Sequence, residues 1–132
     1  MKRILQIDDC DCGVACVAML LQRYANCPSR SSYDAARAMM FGKTESGLTK
    51  TRDLKKALNA CNILTADRLK RFKPIAPKNM GLTFDAVLAT KKLKDGSWHW
   101  MVWDAKNKML LDPLEEPYTK PRVVSFLRVG SE

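Results

Sequence analysis

Two short stretches near opposite ends of the 132-residue chain hold the residue types needed for covalent chemistry. The first is Gln6-Ile-Asp-Asp-Cys-Asp-Cys12-Gly-Val-Ala-Cys16, where an apolar periodicity begins at Cys12. Val14, Val17, Ala18, Leu21 and Tyr24 fall on one stripe of a helix predicted from Cys12 to about Ala25, with Asp11 at the N-cap and Asn26-Cys27-Pro28 ending it. A thiol at the first helical position feels the free N–H groups and the positive end of the macrodipole, which favours thiolate. Asp11 opposes this by its charge, so a cationic partner is needed. The chain contains a single histidine, His99.

His99 lies in Ser-Trp-His-Trp-Met-Val-Trp-Asp, and the next apolar run ends at Asp112-Pro113. The intervening Asp104-Ala-Lys-Asn107 reads as a hairpin turn. With two or four loop residues, Trp103 faces Lys108, Met101 faces Leu110 and His99 faces Asp112, close enough for the carboxylate to take an imidazole N–H. A three- or five-residue loop would put the two side chains on opposite faces. Alternation also groups Trp103 with His99, and Trp98 with Trp100, and whichever faces the cleft could shield a thiolate from water. A thiol at a helix start and a histidine oriented by an aspartate form the nucleophile, base and orienter of a cysteine hydrolase. Gln6, six residues before Cys12, is the candidate oxyanion donor, together with the Cys12 backbone N–H. Each residue also has a plain role: Cys12 as a packed thiol, His99 as a core histidine, Asp112 as a turn former, Gln6 as a surface glutamine.

The pattern Gln6-x5-Cys12-Gly13-x-Ala15-x3-Met19, with His99-Trp100-x-Val102 and Asp112-Pro113, resembles the double-glycine leader peptidases. These are the cysteine peptidase domains that precede bacteriocin-exporting ABC transporters. The resemblance implies a papain-like fold, with Cys12 as nucleophile, His99 as general base and acid, Asp112 as its orienting partner and Gln6 in the oxyanion hole. It also implies cleavage of a peptide bond after a small-residue pair. No transporter segment follows Val129-Gly130-Ser131-Glu132, so a freestanding domain is expected. The same residues would support deamidation or acyl transfer, and a non-catalytic peptide-binding module is the alternative on the same fold. No cofactor is expected, because thiolate, imidazole and water suffice.

The elements that must position these residues change character along the chain. Ser32–Met40 and Thr49–Ala60 read as further helices, the first closed by Gly42, the second with Leu54, Ala57, Leu58 and Cys61 inward. Phe84–Thr90, Ser97–Trp103, Lys108–Asp112 and Arg122–Val129 are short β-branched or aromatic runs between turn residues and read as strands. Helices followed by antiparallel strands predict a single α+β domain over residues 1–132, with the helices packed on the sheet.

Five cysteines without a secretion signal point to reduced thiols and a cytoplasmic setting. Cys16, Cys27 and Cys61 are expected to pack as small apolar groups. The x1, x3 and x10 spacings from Cys10 to Cys27 lack paired CxxC knuckles, so no metal is expected. No apolar run approaches the length of a membrane span. The net charge of +9 is concentrated centrally: residues 1–42, 43–78 and 79–132 carry +1, +7 and +1. This basic middle suits an acidic peptide or protein substrate. Nucleic acid is not the expected partner, since no groove-reading helix, RNP-like aromatic pair or zinc finger is present.

Overall fold

The computed structural model describes residues 1–7, 12–25, 29–41, 51–90, 99–114 and 121–130. Helix α1 runs from Cys12–Ala25, the predicted span, and begins on the thiol-bearing residue itself. The expected stripe is too narrow at one end and too long at the other, because every residue from Cys12 to Leu21 is buried whereas Tyr24 is exposed. The sequence Val-Ala-Cys-Val-Ala-Met-Leu-Leu is apolar all round, as a central helix must be. It packs against α2 (Ser29–Phe41) and α3 (Thr51–Ala60), and against the sheet at its third strand. Asp11, Asn26 to Pro28, Gly42 and residues 49–50, used above as helix boundaries, lie outside the described residues.

Helix α2 starts earlier than predicted and buries Ser32, Tyr33, Ala36 and Met40. Helix α3 buries Leu54, Ala57 and Leu58 as its spacing requires, while Cys61 just beyond it is only half-buried. The chain leaves α3 through a left-handed residue, Asn62 at φ 61°. The Asn62 N–H donates to Asn59 O at 3.0 Å and the Ile63 N–H to Leu58 O at 2.9 Å, the Schellman pattern that satisfies the last carbonyls.

The five strands are β1 (Lys70–Ile75), β2 (Ala86–Thr90), β3 (Trp100–Asp104), β4 (Met109–Leu111) and β5 (Val123–Arg128). They form one antiparallel sheet in the order β1-β5-β2-β3-β4, so the α+β class expected from the sequence is the class observed. Val87, Ala89, Trp100, Val102, Leu111 and Leu127 face the helices. Ala86, Leu88, Met101, Trp103 and Val123 form a second apolar layer on the other face, covered by Met80, Leu82 and Phe84. Burial on both faces explains why Ala86–Thr90 and Trp100–Asp104 read as continuous apolar runs. Among the described residues, no helix is long and apolar enough to cross a membrane.

The far end of α1 is clamped to the sheet by charge. Arg23 Nη1 lies 3.1 Å from both Asp85 oxygens and 2.8 Å from Asp104 Oδ1. The Tyr24 hydroxyl donates to Asp85 Oδ2 at 2.6 Å, and the Ala105 N–H to Asp85 Oδ1 at 2.9 Å. Burial and the neighbouring Asp85 hold the Tyr24 hydroxyl above its ordinary pKa, so it stays a donor. Burial opposes ionisation of Asp104, but Asn107 and Arg23 outweigh it and keep the carboxyl below its usual value. Asp85→Ala should therefore leave Arg23 with Asp104 alone and strand the Tyr24 hydroxyl and the Ala105 N–H, destabilising the fold by about 3 kcal/mol. Thermal unfolding should show Tm about 10 °C lower. An unchanged Tm would mean the clamp does not hold the helix.

Candidate active site

Cys12 and His99 stand 87 positions apart in sequence, and the fold brings them together. Helix α1 crosses the sheet with its N-terminus toward the end of β2 where Thr90 lies, the end opposite its Asp85 clamp. Thr90 and His99 exchange bonds there: the His99 N–H donates to Thr90 Oγ1 at 2.9 Å, and the Thr90 N–H donates to His99 O at 2.9 Å. The imidazole is thus fixed at its own backbone, just before β3 begins. It is 5 % exposed and Cys12 is 9 % exposed, so both reacting groups are shielded from bulk water.

The His99 Nε2–H donates to Asp112 Oδ1 at 2.6 Å. This is the expected contact, reached in a different register. The hairpin pairs Asp104 with Met109, Trp103 with Leu110 and Val102 with Leu111, whereas the sequence pattern suggested Trp103 with Lys108 and Met101 with Leu110. The loop is Ala105 to Lys108, with Lys108 at φ 52° completing the turn. His99 and Asp112 are therefore diagonal rather than directly opposed. The shift is two residues, and strand side chains alternate with period two, so both remain on one face. A shift of one would have parted them.

Asp112 meets its plain role and the candidate one with a single oxygen. Its Oδ1 accepts the Leu114 N–H at 2.9 Å, the Asx turn expected of Asp before Pro113, and also accepts from His99. The turn holds the carboxylate still. With Nε2 committed to Asp112, Nδ1 is the ring nitrogen that remains for the hydrogen bond between His99 and the Cys12 sulfur. Burial works to lower the imidazole pKa, but the bonds and charges of Asp112 and Cys12 outweigh it and raise the value to about 9. At neutral pH the ring is therefore an imidazolium facing a sulfur at a helix start. That arrangement can hold a thiolate and can return a proton to a leaving group.

Gln6 lies beside this group through its main chain, its N–H donating to Pro113 O at 2.8 Å, one residue past Asp112. The next residue is held as well, since the Ile7 N–H donates to the Tyr33 hydroxyl at 2.9 Å. Gln6 Oε1 is buried. The segment from Asp8 to Asp11 that joins Gln6 to Cys12 lies outside the described residues.

Cys16, one turn beyond Cys12, is fully buried, and burial pushes its thiol well above the ordinary range, with Cys12 and Asp112 adding to the effect. It packs as expected and stays protonated. Cys61 Sγ sits 3.4 Å from Met39 Sδ, while Cys10 and Cys27 lie outside the described residues. Trp100 is buried on the helix side of the sheet with Cys12, and Trp103 on the other side, its indole N–H donating to Leu82 O at 3.3 Å. Trp98 is outside the described residues. Among the described residues, no three His, Cys, Asp or Glu side chains converge as a metal site.

Thr90 and Leu114 were not singled out from sequence. Thr90 carries no motif of its own, and only strand pairing reveals it; the Leu114 N–H was implicit in the Asx reading of Asp112-Pro113. No protein-family model and no curated protein matches the chain.

Proposed function

We propose that the protein is a papain-like cysteine peptidase that uses Cys12 as nucleophile, His99 as acid and base and Asp112 as orienter. The observation that carries this is the continuous line from the Cys12 sulfur through the His99 ring to Asp112, with Nε2 and Oδ1 2.6 Å apart. Its resemblance in motif to the double-glycine leader peptidases supports a peptide substrate with a small-residue pair before the scissile bond. The basic middle of the chain favours an acidic substrate.

In the reaction the Cys12 thiolate attacks the scissile carbonyl carbon and the carbonyl oxygen becomes an oxyanion. Gln6 and the Cys12 N–H are the proposed donors to that oxygen. His99 passes its Nδ1 proton to the departing amine, the C–N bond breaks and a thioester remains. Water then attacks the thioester, giving its proton to His99, and the acid product leaves as the thiolate is restored. Asp112 holds the ring throughout and favours its charged form.

A peptide library incubated with the protein, with cleavage positions located by mass spectrometry, tests turnover and specificity together. Cuts after small-residue pairs that vanish with Cys12→Ala are expected; no Cys12-dependent cut in any peptide would contradict a peptidase. Turnover should also follow a bell-shaped pH profile, falling as pH rises through about 9, where His99 loses its proton. A flat profile from pH 5 to pH 9.5 would contradict the assigned role of His99.

A further inference from the structure

At the other end of β2 from His99, Arg128 presents a guanidinium beside an open cavity. Among the described residues no carboxylate pairs its guanidinium, and its Nε–H is buried without an acceptor. The same residue lines a cavity of about 350 Å³ together with Leu64, Thr65, Ala66 and Gly130. Native folds rarely leave a buried charged donor unsatisfied, and an unfilled ion site is one of the few physical reasons for it.

The walls of this cavity are fixed. Residues 64–66 and 128–130 are zipped antiparallel: Thr65 bridges Val129, the Ala66 N–H donates to Arg128 O at 3.0 Å, and the Gly130 N–H to Leu64 O at 2.7 Å. The guanidinium carbon lies 4.3 Å from the centroid of the Phe84 ring. Stacking on a ring satisfies the face of a guanidinium and leaves its edge, where all its N–H donors lie, to meet a partner in plane. Lys70 stands opposite Phe126 on β1, and Phe126 and Arg128 share a face of β5 by alternation. A second cation is therefore available on the same face. Leu64, Ala66 and Gly130 add an apolar wall. Arg128 pairs with Ala86 while His99 bonds Thr90, which separates Arg128 from His99 by about 13 Å along the strand.

We propose that this cavity is a binding site for a small oxyanion, a carboxylate or a phosphate, held in plane by the edge of Arg128 and separate from the Cys12 site. An oxyanion accepts from several guanidinium N–H groups at once and neutralises the charge, which chloride does less well and a cation not at all. A compact phosphate would use the guanidinium alone, whereas a carboxylate with a short apolar tail would also use the Leu64 wall.

Titrations of the intact chain with sodium phosphate and with sodium butyrate, at ionic strength held constant with sodium chloride, test this by proton–nitrogen correlation spectra. The Arg128 Nε–H and the Ala66 and Gly130 amides should shift saturably with at least one of the two anions. The anion that saturates identifies the source. Arg128→Gln should weaken binding at least tenfold. Leu64→Glu, at an exposed rim position, should weaken it too by placing a competing carboxylate beside the guanidinium, and it serves if Arg128→Gln fails to fold. Alkylation of Cys12 should proceed at the same rate in both folded variants. The proposal is overturned if neither anion gives saturable shifts at these three groups, or if the shifts persist unchanged in the variants.

Discussion

His99→Ala should reduce peptide turnover by at least about 10⁴-fold, because members of a nucleophile–base set act as a unit and losing the base costs nearly as much as losing the whole set. In the proposed reaction the ring contributes twice, first as the cation that holds the thiolate and then as the acid that protonates the departing amine. Its pKa of about 9 makes both possible at neutral pH. The variant should still fold, since Thr90 bonds the main chain of residue 99 rather than its ring on the hydrogen-bond pairs that frame β2 and β3. A circular dichroism spectrum and Tm measured beside the kinetics separate lost chemistry from lost structure. Turnover within tenfold of the parent in a folded His99→Ala chain would exclude the histidine from the reaction.

The second large effect concerns Asp112, and two substitutions divide its contribution. Asp112→Ala removes the acceptor of both the His99 Nε2–H and the Leu114 N–H. It should lower turnover roughly 10²- to 10³-fold. Asp112→Asn keeps an oxygen that can accept from the ring but removes the charge. The imidazole is held up by this carboxylate against the opposing effect of burial, so losing the charge should move the basic limb of the pH profile down from about 9. Turnover near pH 6 should then recover most of what the alanine variant loses. If the asparagine and alanine variants behave alike at every pH, the carboxylate does not act by orienting His99.

How much of this was legible beforehand depended on whether the signal was local. The span of α1 and the inward positions Leu54, Ala57 and Leu58 of α3 followed from periodicity, because each helix buries what its own sequence makes apolar. The closure of the hairpin did not. Asp104-Ala-Lys-Asn107 looks like the turn, yet Asp104 is the last residue of β3 and its carboxylate accepts from Asn107 to close the loop. The His99 and Asp112 pairing survived that error only because the slip was even.

Strand β1 went unread for a different reason. Lys70-Arg-Phe-Lys-Pro-Ile lies at the sheet edge, where charge and proline discourage pairing with another chain and also erase the alternating pattern that marks a strand. Its charges form part of the basic middle of the chain. The clamp of Arg23 on Asp85 and Asp104 was equally silent, since its members are 62 and 81 positions apart and no spacing rule joins them. That the Arg128 Nε–H finds no acceptor among the described residues is likewise visible only once its neighbours are known.

The pairing of sulfur and imidazole on which the proposed chemistry turns can be measured without a substrate. The rate of iodoacetamide alkylation at Cys12, followed by peptide mapping between pH 5 and pH 9 in the parent and in His99→Ala, reads the thiolate directly. An ion pair gives a parent rate that exceeds that of the variant roughly 10- to 100-fold at pH 6. A parent rate that drops tenfold for each pH unit below about 8.5, and coincides with the variant throughout, would mean that the imidazole does not hold the sulfur ionised.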